Sequence, residues 1–237
     1  MIVSIHQPAY VPWLGYFDKI AKSDIHIFFD DADYSKNNLF NRNKIKTPKG
    51  ESWITIPIIY KSSMPICETK IDNSSNWTEN HLKTIKMNYT KAPYFKEYSD
   101  IFEKFYSQKW EHLSDITIPM NKLIAETLGI KVKFIKSSEL NVEGAKNEKL
   151  INLCKAVGAD TYLSGRGAKD VNFNPHRKPY LEEEMFLKNN IKVNYQQFSY
   201  PTYKQLWGNF IPNLSIIDFL FNCGVDKFKQ INKKTYD

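Results

Sequence analysis

Residues 2–5, Ile-Val-Ser-Ile, form a short apolar run ahead of a proline-containing loop, which predicts a buried strand. Over 15–22 the spacing of Phe17, Ile20 and Ala21 puts apolar side chains on one face of a helix, and 25–29 (Ile-His-Ile-Phe-Phe) return as a strand. Residues 35–50 show no apolar periodicity beyond Leu39, Phe40 and Ile45 and read as a loop, and 53–59 as another strand. The middle of the chain is helical. Asn76 followed by Glu79 is a capping-box pattern, after which Trp77, His81, Ile85 and Tyr89 recur every fourth residue. Tyr94, Tyr98, Ile101, Phe102, Phe105 and Tyr106 make a second stripe, and a third helix runs to Leu128 and stops at Gly129. Strands at 131–136, 160–163 and 191–198 then alternate with helices at 147–157 and 181–189, and an apolar tail helix spans 214–221 and ends at Cys223-Gly224. Strands separated by helices of this length call for right-handed crossovers in a parallel sheet. The expected fold is a three-layer α/β domain over 1–237, largely parallel, with a helical insertion at about 76–128.

Composition narrows the class. The chain has 237 residues, 42% hydrophobic and 14% aromatic, enough for one full core and too apolar for disorder. No apolar run approaches the ~18 residues of a membrane-spanning helix. The opening MIVSIHQPAYVPW has two prolines and no basic flank, so it does not read as a signal peptide, and the expected location is cytoplasmic. Cys67, Cys154 and Cys223 are far apart with no Cys-x-x-Cys pair, which predicts neither disulfides nor a zinc knuckle. Net charge is +7, compatible with phosphorylated ligands, RNA or an anionic surface. Lysine dominates the bases. The scarce arginines, Arg42, Arg166 and Arg177, mark places where a planar fork of donors is wanted.

Ligands of parallel sheets bind beyond the carboxyl ends of the strands, and three unusual segments sit there. The first runs from His6 and Gln7 through Tyr10, Trp13 and Gly15 to Tyr16, where a ligand would meet the first helix N-terminus. The second begins with Asp30, Asp31 and Asp33 and continues into a basic, amide-rich stretch with Lys36, Asn41, Arg42, Asn43, Lys44, Lys46 and Lys49. Acids beside such a loop suit a magnesium-bound nucleotide or a sugar phosphate. The third is the turn Ser164-Gly165-Arg166-Gly167, with Lys169 close by, an anion nest of backbone amides. No Ser-His-Asp or Cys-His arrangement is recognisable, so the chemistry expected is charge stabilisation, with His6, Lys36 and Arg42 as the catalytic candidates.

The segments HQPAYVPWLGYFDKIAKSD, FFDDADYSKNNLFNRNKIK, TIKMNYTKAPYF, ADTYLSGRGAKD and FIPNLSIIDFLFNCG resemble the WbqC-like family of bacteria nearly from end to end. The resemblance implies a place in O-antigen and other surface-polysaccharide (lipopolysaccharide) synthesis, and glycyl or related aminoacyl transfer to a nucleotide-linked amino sugar. Residues 171–179 depart from the family pattern and put substrate choice in that loop in question. The opening is also arranged like that of HIGH-motif nucleotidylyltransferases, with Trp13 and Tyr16 where that motif has histidines. That likeness is at the level of fold alone. The donor stays open between ATP with magnesium, an acyl thioester and an aminoacyl-tRNA, the last of which would make nucleic acid a partner. The readings from other classes are a nucleic-acid-binding module and a non-catalytic accessory protein.

Overall fold

The computed structural model describes residues 1–165 and 181–232. Strand β1 (Ile2–His6) leads through a proline-rich loop into α1 (Leu14–Ala21), and β2 (Ile25–Phe28) returns beside it. A hairpin follows, β3 (Arg42–Thr47) with β4 (Gly50–Thr55), then a short pair, β5 (Ile58–Ile59) and β6 (Lys70–Ile71). Three helices come next: α2 (Trp77–Tyr89), α3 (Phe95–Tyr106) and α4 (Leu113–Thr127). The chain continues as β7 (Lys133–Lys136), α5 (Lys146–Ala156), β8 (Thr161–Ser164), α6 (Glu183–Lys188) and β9 (Lys192–Tyr195), and closes with α7 (Ile216–Ile231).

The main sheet has five strands in the order β7-β2-β1-β8-β9, every neighbouring pair parallel. Taken in chain order these are the third, second, first, fourth and fifth strands of the sheet. The winding therefore reverses between β1 and β8, and the connections leaving their carboxyl ends go opposite ways, which opens a crevice.

Alternation along the strands assigns the two faces. Val3, Ile5, Ile25 and Ile27 pack against Leu150 and Leu153 of α5 and Phe186 of α6. The opposite face presents Ser4, His6 and His26 toward α1, an unusually polar lining for a buried sheet. A larger core unites α1, the hairpin, α2 to α4 and α7.

Four local expectations are corrected. Residues 53–59 are not one strand: β4 ends at Thr55 and β5 begins at Ile58, because Pro57 has no N–H for a ladder. Residues 42–47, read as loop, form β3, which buries Asn43, Ile45 and Lys46 even though lysine and asparagine dominate it. Asn76 precedes α2, but its side chain makes no capping bond. The tail helix ends near Cys223 only in the sense that Gly224, at φ 67, kinks it; a further helical stretch continues to Ile231. All three cysteines are free thiols. No helix among the described residues is long and apolar enough to cross a membrane.

Candidate functional site

The crevice between β1 and β8 brings together the first and third loops of the sequence reading. Ser4 pairs with Leu163, so Ser164 lies beside Ile5, one residue short of His6 on a strand ~4.8 Å away. The His6 ring stands edge-on to Tyr16 at 5.0 Å and to Trp13 at 6.0 Å between centroids. His6 Nδ1 lies 2.9 Å from the Gln7 carbonyl. A carbonyl only accepts, so Nδ1 carries the proton and Nε2 keeps a free lone pair. Burial, reinforced by the Lys19 ammonium, lowers the imidazolium pKa to about 3. His6 is thus a neutral acceptor at pH 7. Ser164 is fully buried, and its backbone carbonyl accepts from Gln196 at 2.9 Å.

Gly15 shapes this box. A Cβ there would stand 2.8 Å from the Trp13 Nε1 and 3.0 Å from Phe198. Alanine is the better helix former by ~1 kcal/mol, yet Gly15→Ala is expected to lower the denaturation midpoint and shift tryptophan emission, because the indole must leave its place. An unchanged midpoint and spectrum would remove Gly15 from the site.

Beneath the box runs a polar column that sequence reading missed. Ser23 Oγ donates to the Ile20 carbonyl at 2.8 Å, Ser4 Oγ lies 2.8 Å from Ser23 Oγ, and His26 Nδ1 lies 2.8 Å from Ser4 Oγ. Satisfying each in turn makes His26 an Nδ1 donor, and its buried Nε2 has no partner. Burial, then Lys19 and His6, holds the His26 pKa well below the ordinary value. Lys19 of α1, 3% exposed, donates to the Ile5 carbonyl at 3.2 Å, and burial lowers its pKa to about 7. The one signal available for Lys19 was its place within the apolar helix 15–22, and the abundance of lysine hid it.

The remaining candidates divide. Tyr10 is fully buried with its hydroxyl 2.8 Å from His81 Nδ1 and in contact with Tyr106, so it faces the helical core. Asn43 donates to the Val11 carbonyl at 2.8 Å and Asn41 to that of Ile56 at 2.8 Å; both are buried and pin the hairpin. The Asn43 bond holds Val11 at φ 37, a strained conformation for a β-branched residue, and so fixes the loop behind Trp13. Both carboxylate oxygens of Asp30 are taken, Oδ1 by the Ser138 amide at 3.0 Å and Oδ2 by its hydroxyl at 2.8 Å, bracing the ends of β2 and β7. Asp31 pairs with Lys149 at 2.7 Å. Arg42 and Lys44 lie over the exposed Trp53 ring at 4.4 and 5.1 Å, and Lys36 over Tyr60 at 3.9 Å. Arg42 and Lys44 thus stack on an exposed ring of the hairpin and Lys36 on one just past β5, and Arg42 donates to the Asn37 carbonyl at 2.9 Å. Gly165 closes the crevice, partly exposed. Arg166, Lys169 and the 171–179 segment lie outside the described residues. No group of three or more His, Cys, Asp or Glu among the described residues is placed to hold a metal.

The chain is an α/β protein whose five-stranded parallel sheet is doubly wound and reverses between β1 and β8; in sheets of this kind ligands sit beyond the strand ends at that point. Residues 7–230 match the WbqC-like protein family, and the chain belongs to it. It is 36% identical over 228 residues to a Mycobacterium tuberculosis (strain ATCC 25618 / H37Rv) protein, described as uncharacterized protein Rv1507c, with 94% of each chain covered. No solved structure matches the chain.

Proposed function

We propose that the protein transfers an activated acyl group, glycyl or another aminoacyl, to the amine of a nucleotide-linked amino sugar for surface-polysaccharide synthesis. The observation that supports this most is the meeting of His6, Trp13 and Ser164 at the β1–β8 crevice, in a strand order that nucleotide-binding sheets share. The likeness to nucleotidylyltransferases belongs to the same proposal.

In this reading His6 Nε2 accepts a hydrogen bond from the acceptor amine and aims the nitrogen lone pair at the acyl carbon. The new C–N bond forms as the bond to the donor's leaving group breaks, and the leaving group takes that electron pair. The amine's second N–H points at the leaving group, and that proton passes to it as the bond breaks, while the first stays hydrogen-bonded to His6. A histidine with its pKa near 3 orients this step without storing the proton. The donor is ATP-activated amino acid, thioester or aminoacyl-tRNA. The Trp53 and Tyr60 rings, 44% and 41% exposed under Arg42, Lys44 and Lys36, favour a second reading in which this hairpin surface contacts RNA.

The assay incubates the protein with a dTDP- or UDP-linked amino sugar and either glycine with ATP and magnesium or preformed glycyl and acetyl donors, and follows the added acyl mass. Transfer is expected, falling roughly 100-fold in His6→Ala as the amine loses its alignment. No acyl mass with any donor, together with no nucleotide-sugar binding by calorimetry, overturns the transferase reading.

A further inference from the structure

We propose that the ammonium of Lys19 is the anchor for an anionic group, phosphate or carboxylate, of the ligand that enters between the ends of β1 and β8. This rests on the proposed function only in taking that crevice as the ligand site.

Backbone hydrogen bonds place Lys19 there. The Ile2 and His6 carbonyls accept from Asp24 and Phe29, on the β2 side, and the Met1 carbonyl accepts from Asp160 and Thr161, on the β8 side. Carbonyls alternate along a strand, so that of Ile5 faces β8. The β1–β8 pairing stops at Ser4 and Leu163, which makes Ile5 the first residue past it. The Ile5 carbonyl thus opens onto the crevice, and Lys19 Nζ is bonded to it at 3.2 Å.

An ammonium has three protons, and this bond uses one. No carboxylate among the described residues lies within ion-pair distance of Lys19. The nearest acid in sequence, Asp18, is held by Lys22 at 2.8 Å and by Gln196 at 2.6 Å. The other titratable groups around Lys19 are His6 from β1, His26 from β2 and Tyr16 on its own helix. Both histidines are held neutral, and the Tyr16 pKa is raised by burial. A buried cation without a counter-ion is a standing cost to the fold. An incoming anion removes that cost by filling the two open donor positions. Beside it, the His6 Nε2 lone pair is ready for a hydroxyl or amine of the same ligand. The crevice therefore reads a negative group next to a donor, the pairing found where a sugar phosphate carries a hydroxyl or where an amino acid carries both ends.

Because an anion favours the charged amine, binding above pH 7 must draw in a proton. The test titrates sulfate, as tetrahedral dianion, and acetate, as carboxylate, into the protein by calorimetry between pH 6.5 and 8.5. Neither probe titrates in that range, and buffers of different ionisation enthalpy report proton uptake. Binding of one probe is expected, weakening up to ~10-fold per pH unit above 7 and taking up close to one proton at pH 8. Sulfate alone identifies the phosphate source, acetate alone the carboxylate source. Lys19→Met and Lys19→Gln should each lose at least ~10-fold in affinity at pH 6.5 and all uptake, with an unchanged or higher denaturation midpoint. No binding of either probe, or wild-type binding with uptake in a folded Lys19 variant, overturns the assignment. Acyl transfer by a protein whose Lys19 variants bind normally retires Lys19 and keeps the transferase. Binding lost in those variants, with no transfer by the wild type, retires the transferase and keeps Lys19.

Discussion

Stability falls steeply as the pH drops below about 6.5, with a slope approaching three protons. His6 and His81 are lowered to about 3 and about 4 by burial, and His26 well below its ordinary value. In the unfolded chain each takes a proton near pH 6.5. Below that pH the unfolded state binds more protons than the folded one, so unfolding becomes easier as acid is added. Above it both states are neutral at these positions and their contribution is flat. Each histidine costs ~1.4 kcal/mol per pH unit, about 4 kcal/mol for the three together. Against a typical total of roughly 5–15 kcal/mol, the acid transition is expected between about pH 3 and 5. Guanidinium midpoints measured from pH 8 to 4.5 check this. His81→Asn, which keeps an amide near Tyr10, should remove one proton from the slope. Midpoints that stay level from pH 7 to 5 would show that these rings are reached by protons in the folded chain.

Asp218→Ala is expected to cost roughly 3–5 kcal/mol. Its buried carboxylate accepts from Tyr89 at 3.0 Å, Tyr203 at 2.8 Å and Gln205 at 2.8 Å. Tyr89 in turn accepts from the Lys46 amide at 2.8 Å, while Lys46 Nζ is held by Gln205 at 2.8 Å and by the Asn209 carbonyl. Four parts of the chain (α7, α2, the hairpin and the 203–209 segment) thus meet at one negative charge. Burial raises the Asp218 pKa while lowering that of Lys46, and each charge acts to keep the other ionised. Alanine strands three donors and leaves the Lys46 ammonium, 1% exposed, without its counter-charge. Asp218→Asn, which retains one acceptor, should cost less. Denaturant unfolding of both variants decides the matter, and a loss below ~0.5 kcal/mol for alanine would show that the network is not sharing its charge.

The periodic elements were legible because burial imposes a period that residue types reveal: Phe17 and Ile20 on α1, the four-residue stripe from Trp77 to Tyr89, and the alternation into β7 and β8. The loops after β1 and β8 stood out because unlike polar residues gathered at strand ends. Two things were settled by tertiary structure alone. Strand order placed Ser164 beside Ile5, one residue from His6, and turned Asp30 toward Ser138, since register depends on partners distant in sequence. Packing decided which charges leave water. In a chain with thirty lysines, Lys19 and Lys46 read like any other, because a side chain's type says nothing about whether a second layer will cover it. Arg42 and Lys36 drew attention as scarce or clustered bases, yet they stack on exposed rings, while the cation at the crevice comes from inside a helix.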